Sequence, residues 1–290
     1  MGLIELVSPL QLSRVATNFR ANQNNTLWIT MTQSAVGRSQ NFSLDLLQDV
    51  STLHKSIHAN GIAWVSNGSK QPIHYVVLRS AHPDYFSLGG DLAHFRECIR
   101  QQNKKALRDY SMHCVDMIYD WSTTLNQQTT TIALVQGRAL GGGFEAALAS
   151  DFLIAEEQSE FGFPEILFGL FPCTGGMSLL ARRIGVYQAE RMMTNAKIYS
   201  AAELKELGVV DEICPQGQGA VTVEKFITSH SKHRAAHLML QRGRHRLTRL
   251  SYEELRTVVD EWVEAAMALT EDNLRVMDML IRMQQASIPG

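Results

Sequence analysis

The stretch Gly137-Arg-Ala-Leu-Gly141-Gly142-Gly143-Phe-Glu145, directly after the apolar run Thr131-Ile-Ala-Leu-Val-Gln136, decides how this chain folds. The apolar run reads as a buried strand, and the residues after Gly143 read as a helix. A glycine run between two such elements lets the backbone approach a ligand with free N–H groups pointing outward. Glu145, just beyond the turn, then lies beside a dipole that favours negative charge. Downstream, Phe161-Gly-Phe-Pro164-Glu165-Ile-Leu-Phe-Gly169 carries a second acid with its own punctuation. Upstream, Phe86-Ser-Leu-Gly89-Gly90-Asp91-Leu92 is a second glycine site after a strand. Two glycine-bearing strand exits supply two N–H donors from separate segments, the pair that holds a developing oxyanion while carboxylates move protons. Taken singly, each glycine pair is an ordinary tight turn.

Working outward, strands and helices alternate, which signals an α/β domain. Leu27–Met31, His74–Leu78 and Asp151–Ala155 read as strands, and Asp45–Ile57 as an amphipathic helix with Ser43 placed to cap it. The spacing predicts one long helix over about 92–125, then helices over 174–184, 187–195 and 200–207. No convincing strand follows residue 216. Ser251-Tyr-Glu-Glu254 is a capping-box pattern before the apolar face Leu255, Val258, Val259, Trp262, Val263 and Ala266. Thr270 is placed to cap a last helix carrying Leu274, Met277, Leu280 and Ile281. The chain divides into a short polar arm (1–25), an α/β core (26–215) and a helical C-terminal region (216–290).

Composition excludes several function classes. Lys+Arg 27 against Asp+Glu 29 leaves no global field for nucleic acid or an acidic membrane surface. No apolar stretch is long enough to span a bilayer. Met1–Pro9 lacks a basic region followed by an apolar one, and Leu6 breaks the myristoylation pattern that Gly2 invites. Cys98, Cys114, Cys173 and Cys214 show no paired spacing and read as reduced thiols of a cytoplasmic protein.

Glutamates are usually solvated, but Glu145 is flanked by Phe144 and Ala146-Ala-Leu-Ala149, and Glu165 by Phe161, Phe163, Ile166, Leu167 and Phe168. Apolar surroundings raise a carboxyl pKa toward neutrality, which suits a general acid or base. Rival chemistries find less support. Gly141-x-Gly143-x-x-Ala146 fits a dinucleotide fingerprint, but the next strand ends at Ala155-Glu156, too early for the acid that pattern requires. There is no Gly-x-Ser-x-Gly elbow, and Cys173 beside Gly175-Gly176 reads as a buried structural thiol. His54/His58 and His233/His237 stand four apart without further ligands, so solvated helix faces are expected rather than a metal site. His82 and His94 flank the upstream glycine site at Gly89-Gly90, where either could meet a substrate. The basic run Lys232-His-Arg234…Arg242-Gly-Arg244-His-Arg246…Arg249 fits a solvated face or a phosphate contact, as on coenzyme A or an acyl carrier protein.

From His74 to Ile213 these segments resemble the crotonase (enoyl-CoA hydratase/isomerase) superfamily. The match continues through Val135–Glu145, Ala149-Ser-Asp-Phe152, Gly175-Gly176 and Ala201-Ala-Glu-Leu-Lys-Glu-Leu-Gly-Val-Val-Asp-Glu-Ile213. The resemblance implies a spiral of ββα turns with a helical C-terminal region, and homo-oligomers, usually trimers. It also implies an oxyanion hole for a thioester carbonyl made by the N–H groups of Gly90 and Gly142, with Gly89, Gly141 and Gly143 in support. The two glutamates of hydratases map onto Glu145 and Glu165, and no cofactor or metal is implied. The chain departs from ordinary hydratases at Ser34–Asn41 and in its C-terminal tail, Asp272–Arg282. Its whole length is similar to the bacterial diffusible signal factor synthases. Those enzymes dehydrate 3-hydroxyacyl thioesters of acyl carrier protein to cis-2-enoyl chains and hydrolyse the thioester, giving a fatty acid used in quorum sensing. Some are bound by the receptor that senses it. A plain enoyl-CoA hydratase, or a non-catalytic binding protein on the same fold, are the alternatives. Phe144, Ile166, Leu167, Phe171, Met177 and Leu180 are expected to line an acyl pocket or to pack the core.

Overall fold

The computed structural model describes residues 10–32, 40–66, 68–123, 125 and 128–285. The readings made on Met1–Pro9, and on most of the Ser34–Asn41 departure, lie outside these residues.

Thr130–Val135 (β7) is buried along its whole length, as expected of a parallel strand covered on both faces. Its alternate side chains serve two cores. Ala133 and Val135 join the large cluster, while Ile132 and Leu134 meet Trp28, Tyr75, Val77, Ile154, Val223 and Ile227 on the other face. Around β7 the main sheet runs in the order β1-β2-β5-β7-β9-β12, comprising Val15–Arg20, Thr26–Met31, Tyr75–Ser80, β7, Phe152–Glu156 and Glu212–Cys214. All its pairs are parallel except β1 with β2. A smaller sheet, order β11-β10-β8-β6, joins Tyr199–Ser200, Glu160–Gly162, Arg138–Leu140 and Tyr85–Ser87. A hairpin of β3 (Ala63–Ser66) and β4 (Ser69–Pro72) stands apart. Three times the chain passes from a strand of the large sheet to one of the small sheet and then to helical backbone. Those passages are β5 to β6, β7 to β8, and β9 to β10, so the ββα spiral is present.

Ser43 caps α1 (Leu44–Ala59) through the N–H of Leu46. The single helix expected over 92–125 is two, α2 (Leu92–Arg100) and α3 (Lys104–Thr123). Gln102 adopts φ 52°, which no helix continues through, and the Asn103 side chain caps the restart at Ala106 N. α4 (Gly142–Leu148), α5 (Gly176–Ile184), α6 (Val186–Thr194) and α7 (Ala201–Glu206) follow. From Gly219 the described chain is helical, as α8 (Gly219–Ser231), α9 (Arg234–Leu247), α10 (Tyr252–Met267) and α11 (Glu271–Gln285). Ser251 makes its half of the expected capping box, to Glu254 N, and Thr270 caps Asn273 N. α10 packs on α3, and α11 on α2 and on the turn that carries Glu165.

The polar arm expected over 1–25 is corrected from Val15 onward. Val15–Arg20 is an edge strand in register with β2, Phe19 opposite Leu27.

Candidate active site

Gly141 ends β8 at φ 52° and its N–H donates to Gly162 O, which ties the first glycine run to the strand before Glu165. α4 begins at once and runs against β6. A β-carbon at Gly143 would overlap the Ser87 carbonyl, so only glycine allows this approach. Gly143→Ala should therefore cost about 1–3 kcal/mol of stability by overpacking. It should also lower turnover, because Gly142 moves with the helix; thermal unfolding and steady-state kinetics together measure both effects.

The geometry brings both acids to the same glycines. A β-carbon on Gly141 would strike the Glu165 carboxylate, and one on Gly142 would lie 3.8 Å from Glu145 Oε2 and 3.5 Å from the Gly90 nitrogen. Among the described residues, neither Gly90 N–H nor Gly142 N–H has an internal acceptor. The cavity they face is lined by Gly89, Gly90, Gly141, Gly142, Glu145 and Glu165.

The two carboxyls differ in environment. Glu145 is 2% exposed and fully partnered. Its Oε1 accepts from Thr174 N (2.9 Å) and Gly176 N (2.7 Å), and its Oε2 from Thr174 Oγ1 (2.5 Å). Burial pushes its pKa up, while these three donors favour the charged form and pull it back. Glu165 opens the short 3-10 turn Glu165–Phe168, and its Oε2 is buried without a hydrogen-bond partner. Burial first, then repulsion from Glu145, pushes its pKa up to about 8.

The apolar wall of the cavity corrects the expected acyl pocket. It includes α3 (Tyr110, Cys114, Met117, Ile118), Phe168 and Phe171, and Trp262 of α10, with Phe42, Leu88, Leu92 and Phe95 around the Gly89-Gly90 side. Of the six expected residues only Phe171 lines it. Phe144 packs between Phe161, tilted to it, and Phe163, stacked on it, in the core, and Leu180 is also core. Ile166, Leu167 and Met177 lie on the surface. Cys173 lines the cavity, its thiol pushed well up by burial and so unreactive.

The histidines also fall elsewhere. His82 accepts from Asp84 N and packs on Tyr85, and His94 lies against Cys98 and Tyr110; neither lines the cavity. The solvated faces expected for the histidine pairs are corrected for His54, which is buried against Trp121, and for His237, whose ring lies tilted against His230. Among the described residues no group of His, Cys, Asp and Glu is arranged to hold a metal. The basic run is spent partly on structure. Arg234 donates to Gln128 O ahead of β7, and Arg244 and His245 meet Asp151 ahead of β9. Sequence reasoning missed Thr174, whose N–H and hydroxyl hold Glu145; no local pattern distinguishes it from other threonines.

A mixed α/β spiral thus sets two carboxyls beside two unpaired amides at one cavity. The family model for enoyl-CoA hydratase/isomerase matches residues 62–279, and the chain belongs to that family. It is 33% identical over 146 residues to "Enoyl-CoA isomerase/hydratase fer4" of Mycosarcoma maydis, covering 50% of this chain and 51% of that one. It is 39% identical over 100 residues to "Probable enoyl-CoA hydratase echA8" of Mycobacterium bovis, covering 34% and 39%. The chain thus spans about half, or less, of the length of the curated relatives it matches. The enoyl-CoA hydratase of Bacillus halodurans superposes with TM-score 0.71 at 24% identity, covering 92% of this chain and 100% of that one. Human mitochondrial delta3-delta2-enoyl-CoA isomerase gives 0.72 at 17%, covering 93% and 98%. At such identities these two likenesses speak for the fold alone.

Proposed function

We propose that this chain adds water across, or removes it from, the C2–C3 bond of an acyl thioester. The observation that carries the reading is the unequal pair of acids beside two free amides. Glu165, held at about 8, carries a proton at neutral pH, whereas three donors favour the Glu145 carboxylate. In the hydration direction Glu145 takes a proton from water as its oxygen attacks C3. Glu165 delivers its proton to C2, and Gly90 and Gly142 hold the enolate oxygen between. In dehydration the pair again holds one proton, now on Glu145, and ionised Glu165 takes the proton from C2.

Both directions need that single shared proton. The rate per encounter, kcat/KM, should therefore fall as pH rises through about 8, where Glu165 loses it. A profile flat across this range would contradict the assignment.

A finer reading, which follows only the resemblance read from the sequence, is dehydration of a 3-hydroxyacyl carrier protein followed by thioester hydrolysis. Of the hydroxyls at the cavity, Tyr110 donates to Phe42 O and Thr174 to Glu145 Oε2, and the thiols of Cys114 and Cys173 are poor nucleophiles because burial pushes both up. Ser111 donates to Leu107 O, and burial holds Cys114 at about 12. Hydrolysis would then use water activated by a carboxylate. Incubation with 3-hydroxyacyl carrier protein tests this: free cis-2-enoic acid supports the finer reading, and an enoyl thioester without free acid supports a plain hydratase. Exposed Ile166, Leu167, Met177, Val186 and Tyr187 support the homo-oligomer expectation, since isolated copies would leave this apolar set in water.

A further inference from the structure

We propose that Gln284, in the last turn of α11, is a positioning residue that fixes the direction of the Gly90 N–H. The inference rests on reading that amide as an oxyanion donor. Gln284 Nε2 donates to Leu88 O and to Gly90 O, each at 3.1 Å, and its Oε1 accepts from Leu92 N at 3.4 Å. The two carbonyls belong to the peptide units on either side of the one that presents Gly90 N–H.

Two adjacent glycines make this loop the freest kind of backbone, and Gly89 sits at φ 87°. The central unit has one anchor of its own, Phe42 N donating to Gly89 O at 2.8 Å. A single bond leaves the unit free to pivot about it. The flanking units are each held at two points. Leu88 O meets Gln284 while Gly89 N donates to Ser87 Oγ (3.1 Å), and Gly90 O meets Gln284 while Asp91 N donates to Tyr110 OH (3.0 Å). Remove Gln284 and each flanking unit keeps one anchor. The donor then swings, although the loop stays attached.

The same helix is docked independently. Asp278 accepts a two-point pair from Arg96 Nε (2.9 Å) and Nη2 (3.2 Å). Loosening α11 and losing the Gln284 contacts can therefore be separated. An oxyanion donor acts where charge develops, so its misdirection appears in kcat and leaves the apolar cavity's grip on substrate intact.

The test compares Gln284→Leu with Asp278→Asn in the full chain. Gln284→Leu should lower kcat about 10- to 10²-fold, short of the 10²–10³ for deleting a donor outright, with KM held within about twofold. A conjugated 2,4-dienoyl thioester supplies a readout without turnover. Its absorption should shift to the red in the unmodified chain as the carbonyl is polarised, and shift less in Gln284→Leu. Asp278→Asn should leave both nearly unchanged. Equal losses in both variants, or no change in Gln284→Leu, overturn the proposal. Should Gln284→Leu not fold, Gln284→Glu keeps the acceptor for Leu92 N and sets a carboxylate against two carbonyl oxygens. Its defect should shrink as pH falls and the carboxyl becomes a donor; a pH-independent defect overturns the proposal. A red shift in the unmodified chain without water addition sinks the hydration reading but not this one, and no red shift at all sinks both.

Discussion

Glu145→Gln is expected to reduce turnover of an acyl thioester by about 10²–10⁴-fold while leaving the chain folded. The carboxylate accepts from Thr174 N, Thr174 Oγ1 and Gly176 N. Glutamine can accept with only one atom, so its NH₂ must face at least one of those donors. The side chain then neither takes a proton from water nor keeps its place. The substitution also removes the charge that helps hold Glu165 up, while burial, the larger cause, remains. Residual activity should therefore lose its alkaline limb at a lower pH than in the unmodified chain. Steady-state kinetics against pH, with thermal unfolding as the folding check, reads both effects. Full activity in this variant would remove the acid–base pair from the mechanism.

The second large effect is on stability and falls at Asp151, between the two glutamates in sequence but outside the cavity they line. The Asp151 side chain is wholly buried, and its Oδ2 accepts from Thr131 N and Thr131 Oγ1, both at 3.0 Å. Its Oδ1 meets Arg244 Nη2 at 2.7 Å and His245 Nε2 at 2.8 Å. One carboxylate thus joins β7, β9 and α9. Asp151→Ala strands the buried Thr131 N–H and frees the end of α9. Arg244 is half exposed and recovers water, so the cost sits below that of breaking a fully buried pair, about 3 kcal/mol. Denaturant unfolding measures it. Activity below the transition should hold, because Asp151 does not line the cavity; a loss below 1 kcal/mol would show that water replaces the carboxylate.

The elements of the candidate site were legible because their signals are local. Glu145 and Glu165 each sit within a few residues of glycine or proline punctuation, and β7 announces itself as an unbroken apolar run. The small sheet was not legible from residue patterning. Tyr85–Ser87, Arg138–Leu140 and Glu160–Gly162 are three residues each, too short to display an alternation. Only the family resemblance implied them. Val15–Arg20 was missed because an edge strand with one wet face carries polar residues such as Asn18 and Arg20. The break at Gln102 was missed because a left-handed glutamine leaves no compositional mark. The cavity wall failed for a different reason. Whether an apolar side chain meets substrate, core or water depends on how α3 and α10 dock, which no short window reports. Phe144 sits beside Glu145 in sequence, yet a helix turns it away, into Phe161 and Phe163.

The contact between α4 and β6 is backbone against backbone, with no side chain between Gly143 and Ser87. That contact holds Gly142 against β6 whatever side chains change elsewhere, whereas the apolar cavity wall is woven from Tyr110, Cys114, Met117, Ile118 and Trp262 on other helices. Under the proposed function, exchange of those residues would change which acyl tail fits while Gly142 stays put, which makes α3 the natural place to retune this protein for longer or branched chains.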